Sequence, residues 1–336
     1  MPQPTKSAAS PDQFIVGVDL GGTNLVVGAT SIDGSRQFGM HSIPTRADLG
    51  AEAVVARIAE LIEKVIAEAT STLGAPRTHC AGVGIGSPGP LNRETGVVIF
   101  TPNLGWRDFP LRDRVQDAVR LPATLDNDAN CATLGEWWLG AARGAKHVVG
   151  LTLGTGIGGG LILDGRLYHG ISDVAGELGH MTIDSNGRRC GCGNYGCLEA
   201  YASGPAIAER AREALAGGQP SSLPKLVRGD VSKLTAAHVF SAAKNGDPTA
   251  IEVVRDTARF LGIGVANLLN AFNPEVVVLA GGVTQAGDAL FEPMRAEVRR
   301  RAFKPAVDSC RIVPGILPHA GVIGAIATFA QRQGLM

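Results

Sequence analysis

The sequence predicts an α/β protein built from two related halves, and three observations carry that reading. Short β-rich runs alternate with longer runs of helical periodicity. Glycine-rich turns stand at the ends of three of the β-runs. The pattern Val16-Gly17-Val18-Asp19-Leu20-Gly21-Gly22-Thr23 recurs as Val149-Gly150-Leu151-Thr152-Leu153-Gly154-Thr155-Gly156, each time as strand, glycine turn and strand, which points to an internal duplication.

In the first half, Phe14 to Asp19 and Leu25 to Thr30 read as a hairpin joined by Gly21-Gly22-Thr23-Asn24. A third strand is expected from Gln37 to Ile43. Leu49 to Leu73 then places Val54, Ile58, Leu61, Ile62, Val65 and Ile66 on one side of a helix, with Gly74 and Pro76 to end it. Cys80 to Gly86 reads as a buried strand, followed by a helix near Leu111 to Val119, a strand at Ala123 to Leu125 and a helix from about Asn130 to Ala141. After the second hairpin come a Cys-rich insertion and helices near Pro205 to Leu215, Thr235 to Lys244 and Thr249 to Leu269. A strand at Glu275 to Leu279 and a closing helix from Gly321 to about Gln333 complete the order. The expected division is a disordered lead-in over 1–13, an N-terminal domain over 14–127 completed by the helix at 321–333, and a C-terminal domain over 128–320.

Composition narrows the functional classes. The chain has 336 residues, 31 basic against 31 acidic side chains, 45% hydrophobic residues, 45 Gly and 6 Cys, which suits a folded protein of about two domains and neither a disordered chain nor a small disulfide scaffold. Zero net charge argues against binding a nucleic-acid backbone, because that affinity comes from concentrated Lys and Arg. The most apolar stretch, Val148 to Leu163, is interrupted by Thr152, Thr155 and glycines, so no membrane span is expected. Met1 to Asp12 lacks an apolar core of the kind a signal peptide needs, and the cytoplasm is the expected location.

Three glycine turns offer convergent backbone N–H groups to a phosphate: Gly21-Gly22-Thr23-Asn24, Gly154-Thr155-Gly156-Ile157-Gly158, and Gly281-Gly282-Val283 after the strand that ends at Leu279. Each alone is also explained as a tight turn; together they favour a split nucleotide site. Gly154-x-Gly156-x-x-Gly159 fits the dinucleotide fingerprint only superficially, since Leu161 to Leu163 continues as strand where that motif needs a helix. Gly84-x-Gly86-x-x-Gly89 fails because Pro88 and Pro90 interrupt a helix start, and no GxxxxGK[ST] occurs.

Asp126-Asn127-Asp128-Ala129-Asn130 lies where a strand gives way to a helix. Capping by Asn or Asp is one reading, and a base that accepts a hydroxyl proton beside an aligned phosphate is the other. Asp19 follows the first strand and faces the first glycine turn, where it serves a magnesium-linked role or caps the turn. His180, Cys190, Cys192 and Cys197 give H-x9-C-x-C-x4-C with Gly191, Gly193 and Gly196 between them. Four N/S donors suit tetrahedral zinc in a structural site with no open position. Glu177, three residues before His180, is either held in place by the metal loop or a solvated charge; the same pair of readings applies to Glu199.

These residues resemble the ROK family of repressors, open reading frames and kinases, nearest to its bacterial glucokinases, over about Phe14 to Phe329. The resemblance rests on Asp19-Leu20-Gly21-Gly22-Thr23-Asn24, Pro102-Asn103-Leu104-Gly105-Trp106, Asn127-Asp128-Ala129-Asn130, Gly154 to Gly160, Glu177-x-Gly179-His180, and Cys190 to Glu199. It implies the actin-like ATPase fold, two ribonuclease-H-like domains with a cleft between them, and ATP-dependent phosphorylation of glucose at the 6-hydroxyl. It further implies sugar contacts from Gly89, Asn103, Asn127, Asp128, Glu177, His180 and Glu199, with Asp128 as the base. ATP and Mg²⁺ are implied at Asp19, Gly21, Gly22, Thr23, Asn24, Gly154, Thr155 and Gly156, with the adenosine near Gly281 and Gly282, zinc on His180, Cys190, Cys192 and Cys197, and a homo-oligomer, dimer or tetramer. Kinases for N-acetylglucosamine, N-acetylmannosamine, fructose or allose share these motifs, and polyphosphate is a possible donor. A sugar-sensing protein without turnover is the competing class; the 18 residues before Asp19 are too few for the DNA-binding domain of ROK repressors.

Overall fold

The computed structural model describes residues 12–336, so residues 1–11 of the expected lead-in lie outside it. The chain divides into two compact units. In the first, β1 (Phe14–Leu20), β2 (Asn24–Ser31) and β3 (Gln37–Pro44) form an antiparallel meander. Helix α1 (Ala51–Leu73) follows, and all six apolar residues of its expected face are buried. A fully buried aliphatic side chain gains about 1.5–3 kcal/mol over an exposed one, so that face holds the helix on the sheet although no side chain caps its start. Gly74 ends it in the left-handed region at φ 63°, its N–H on the Thr70 carbonyl. β4 (Cys80–Ser87) then returns parallel to β1.

The next segment holds a small antiparallel sheet of β5 (Leu91–Asn92), β6 (Val97–Thr101) and β7 (Trp106–Phe109), which the sequence reading lacks. Strands of two to five residues are too short to show a period. After α2 (Leu111–Val119), β8 (Ala123–Asn127) runs parallel to β4 and completes the sheet order β3-β2-β1-β4-β8. Helix α3 (Asp128–Trp138) begins two residues before the expected Asn130 because Asn127 caps it, accepting the N–H groups of Ala129 and Asn130.

The second unit repeats this plan. β9 (Val148–Leu153) and β10 (Ile157–Leu163) form the expected hairpin, and β11 (Arg166–Leu167) extends it. Five helices follow: α4 (Glu199–Ala202), α5 (Gly204–Ala216), α6 (Leu223–Leu226), α7 (Ala236–Lys244) and α8 (Pro248–Phe272). β12 (Val276–Ala280) lies parallel to β9. α9 (Asp288–Arg301), α10 (Lys304–Ser309) and β13 (Arg311–Pro314) were not legible beforehand. The order β11-β10-β9-β12-β13 has the same strand senses, position by position, as the first sheet. The internal duplication is therefore a property of the topology as well as of eight residues.

The chain returns to the first unit with α11 (Ala320–Arg332), buried from Ala320 to Ala330. A helix apolar on all sides must be enclosed on all sides. One face lies directly on β1 and β4, where a Cβ on Gly17 or Gly84 would run into the carbonyls of Val322 and Ala325. Another packs on α3, where the Cβ positions of Gly135 and Gly324 are filled by the backbone of Ala320 and Cys131. That packing corrects the expected boundary at 127/128. The first unit runs to Arg143 and includes 169–175 and 317–336; the second comprises 144–168 and 176–316. Starting a domain at Asp128 would separate α3 from the helix it packs against. No helix among the described residues is long and apolar enough to cross a membrane.

Candidate active site and metal centre

In the first unit, the turn between β8 and α3 separates two tasks by one residue. Asn127 Oδ1 accepts the Ala129 N–H at 2.9 Å and the Asn130 N–H at 3.1 Å, so the cap is supplied by the amide. Asp128 is the first residue of α3, half-buried, with Oδ1 2.8 Å from the Ala129 nitrogen. Asp19, at the end of β1, is enclosed enough that burial pushes its carboxyl up to about 7, and the nearby charge of Asp128 adds to the rise. Two carboxylates that feel each other in this way create a local demand for a cation or a proton.

The first glycine turn is pinned from behind. The Gly21 N–H donates to the Asn24 carbonyl at 2.9 Å, and the buried Thr45 hydroxyl donates to the Gly21 carbonyl at 2.6 Å. Gly22 lies so close to Asn103 that a Cβ would come within 2.9 Å of the Asn103 Cβ. Asn103 is exposed, while its neighbours Leu104 and Trp106 are buried in the core. Gly89 has φ 89°, and a side chain there would collide with the Phe100 carbonyl. The structure thus brings Asp19, the first glycine turn and Asn103 together, with Asp128 within electrostatic reach.

In the second unit the other two glycine turns meet. Gly281, at φ 97°, packs against the backbone of Leu153, which immediately precedes Gly154. The Gly154 N–H reaches the Gly156 carbonyl at 2.9 Å, and the Gly154 carbonyl accepts the Gly204 N–H at the start of α5 at 2.8 Å. The Glu199 carboxylate accepts the Ile157 N–H at 2.8 Å and stands 3.7 Å from Cys190 Sγ. It therefore ties the cysteine loop to the second glycine turn, and a Cβ on Gly156 would meet it.

The donor atoms of His180, Cys190, Cys192 and Cys197 all lie within 4.8 Å of one another. Cys192 Sγ is 3.7 Å from Cys197 Sγ, and Cys190 Sγ is 3.7 Å from His180 Nδ1. Zn–S bonds of about 2.3 Å place tetrahedral sulfur ligands about 3.8 Å apart, which the Cys192–Cys197 separation matches. Burial pushes the Cys190 thiol up to about 12 and raises Cys197, whereas the Asn194 N–H lowers Cys192. A divalent cation supplies the charge that buried thiolates require. The loop is shaped independently by its backbone, with Cys190 N–H on the Asn194 carbonyl and Ile183 N–H on the Gly196 carbonyl, both at 2.8 Å. His180 Nε2 faces away from the cysteines, 4.0 Å from Glu177 Oε2.

A model of the ROK family matches residues 15–332. The chain belongs to the ROK family. It is 38% identical over 327 residues to a glucokinase of Halalkalibacterium halodurans, covering 97% of both chains, and 40% identical over 326 residues to a glucokinase of Thermotoga maritima, covering 96% of this chain and 99% of that one. Among solved structures it is similar to a ROK glucokinase of Streptomyces griseus in complex with glucose and AMPPNP, with TM-score 0.79, 35% identity, and 94% and 98% of the two chains covered. The fold is accordingly the actin-like ATPase fold of ROK proteins.

Two parts of this ROK chain's polar architecture were not anticipated. Arg93 and His169 meet Asp126, with Asp173 paired to Arg93, and Glu136 closes α3 by accepting the N–H groups of Ala141 and Leu317 at 2.8 and 2.9 Å. Asp126 stands inside a run already singled out, but its partners lie 33 and 43 residues away, and no local pattern joins them.

Proposed function

We propose that the chain transfers the γ-phosphoryl group of ATP to the 6-hydroxyl of glucose. The observation that carries this reading is the placement of Asp128, at the start of the helix α3 that Asn127 caps and within electrostatic reach of Asp19 beside a glycine turn. Asp128 accepts the hydroxyl proton as the sugar oxygen attacks phosphorus in line, and Asn103 and Asn127 orient the sugar in the first unit. Glu177, His180 and Glu199 supply further hydroxyl contacts, and Gly89 offers its backbone. The backbone N–H groups of Gly21 to Asn24 and Gly154 to Gly156 hold the phosphates, with the adenosine near Gly281 and Gly282. Mg²⁺ at Asp19, when bound, neutralises phosphate charge. Zinc on His180, Cys190, Cys192 and Cys197, when bound, fixes the loop that carries Glu177 and His180. Cytoplasmic residence belongs to the same reading, since all six cysteines are unpaired.

Asp128→Asn preserves the volume and the oxygen that faces the Ala129 nitrogen, and removes only the proton acceptor. The expected result is a folded protein that keeps most of its glucose affinity and loses about 10²–10⁴-fold in kcat. Retention of more than about a tenth of wild-type kcat would exclude Asp128 as the base.

A further inference from the structure

Asp126 has no exposed surface, although it stands two residues before Asp128. Its Oδ1 accepts the Asn127 N–H at 2.8 Å and the Asn130 side-chain amide at 3.3 Å. Its Oδ2 lies 2.9 Å from His169 Nε2 and 3.1 Å from Arg93 Nε. The arginine contact is ionic, because the Nε–H is not aligned for a hydrogen bond. Arg93 also reaches Asp173, with Nη1 3.5 Å from Oδ1 and its backbone N–H donating to Oδ2 at 3.0 Å. Its carbonyl accepts Arg332 Nη1 of α11 at 3.0 Å.

A carboxylate buried this completely persists only when paired and hydrogen-bonded, and an apolar residue of similar size serves a strand end at least as well if burial is all that is needed. Capping does not explain it, since Asn127 already satisfies the first N–H groups of α3. What Asp126 does is bind the main chain of the Asn127–Asp128 turn on one side and the Arg93 guanidinium and the His169 ring on the other. His169 and Asp173 belong to segment 169–175, which lies in the first unit while the chain before and after it lies in the second. The same segment runs through Gly176 directly into Glu177.

We propose that Asp126, His169 and Arg93 form a positioning cluster for phosphoryl transfer. They hold the turn that carries Asn127 and Asp128 and tie it to segment 169–175 of the same unit. The cluster touches no reacting atom; it acts through Asp128. The inference rests on the kinase reading above.

The test is steady-state kinetics with glucose and ATP, together with thermal unfolding, on His169→Ala, His169→Gln and each of these combined with Asp128→Asn. A small displacement of a reacting group costs up to about 100-fold, so His169→Ala should lower kcat about 10- to 100-fold with the ATP KM unchanged. His169→Gln retains a donor toward Asp126 Oδ2 and should recover most of that loss. In the Asp128→Asn background, His169→Ala should remove less than about twofold more, because both changes disable the same proton acceptance. A purely structural role predicts a lower melting temperature with unchanged kcat per folded enzyme, or losses that multiply in the double variant; either result overturns the cluster. Should His169→Ala not fold, Arg93→Gln is read by the same criteria. Wild-type protein inactive on glucose and every other hexose would refute the kinase reading itself, whereas an active wild type with an unaltered His169→Ala would refute the cluster alone.

Discussion

Asn127 and Asp128 show how adjacent residues at a helix start acquire different work. The amide caps the helix by accepting the Ala129 and Asn130 N–H groups, while the carboxylate shares the Ala129 N–H through Oδ1. A carboxylate serves as the cap itself at Asp247, which caps α8 ahead of Pro248. Burial alone would raise its carboxyl, but bonds from the Ala250 and Ser222 N–H groups and from the Ser222 and Ser221 hydroxyls outweigh it and hold the group below its usual 3.8. A carboxyl depressed by folding contributes stability that is present above its unfolded value and is lost as pH falls through the folded value. Asp247→Ala should therefore cost about 0.5–2 kcal/mol near pH 7, read as a lower melting temperature, and the gap to wild type should narrow below about pH 4. A gap that is independent of pH would mean that the charge on Asp247 contributes nothing. The helix near Thr249 to Leu269 was legible in the sequence; its Asp247 cap and the two serines, 25 and 26 residues away, were not.

At the scale of elements, the long helices and the two hairpins were legible because each carries more than one period of apolar residues, as α1 and α8 do. The elements that escaped are short or locally atypical. β13 has four residues, and α9 encloses Pro293 and ends in Arg299, Arg300 and Arg301. The metal loop was legible for a different reason, since its spacing and glycines are local. Within it, His180 turns Nδ1 toward Cys190 and Nε2 toward Glu177, so the loop links the candidate metal donor set to the Glu177 carboxylate. Purified protein should carry about one zinc per chain by elemental analysis, from four ligands of one tetrahedral site; an unchelated preparation without zinc would refute the site. Cys192→Ala leaves three ligands and loosens Glu177 and His180, so it should raise the glucose KM strongly. The ATP KM should change little, because Glu199 keeps its own bond to the Ile157 N–H. Equal loss for both substrates, or unfolding seen by circular dichroism, would show that the metal supports the whole unit.

For the whole molecule, the duplication explains why glycine turns recur at equivalent strand ends. β1 with β2 and β9 with β10 are the same hairpin in sheets of the same order. One copy acquired Asp19, Asn103 and the Asp128 turn, and the other acquired the metal loop and the Gly281 turn. The boundary was misplaced in the sequence because α3 and α11 are far apart in the chain and only their packing shows that they belong together. The similarity to two glucokinases, 38% and 40% identical over nearly the whole chain, makes glucose the expected substrate. The most direct test is a coupled kinase assay with ATP over a panel of glucose, N-acetylglucosamine, N-acetylmannosamine, fructose and allose. Glucose should give the highest kcat/KM; a higher value for any other sugar, or no turnover with all of them, would contradict a glucose kinase.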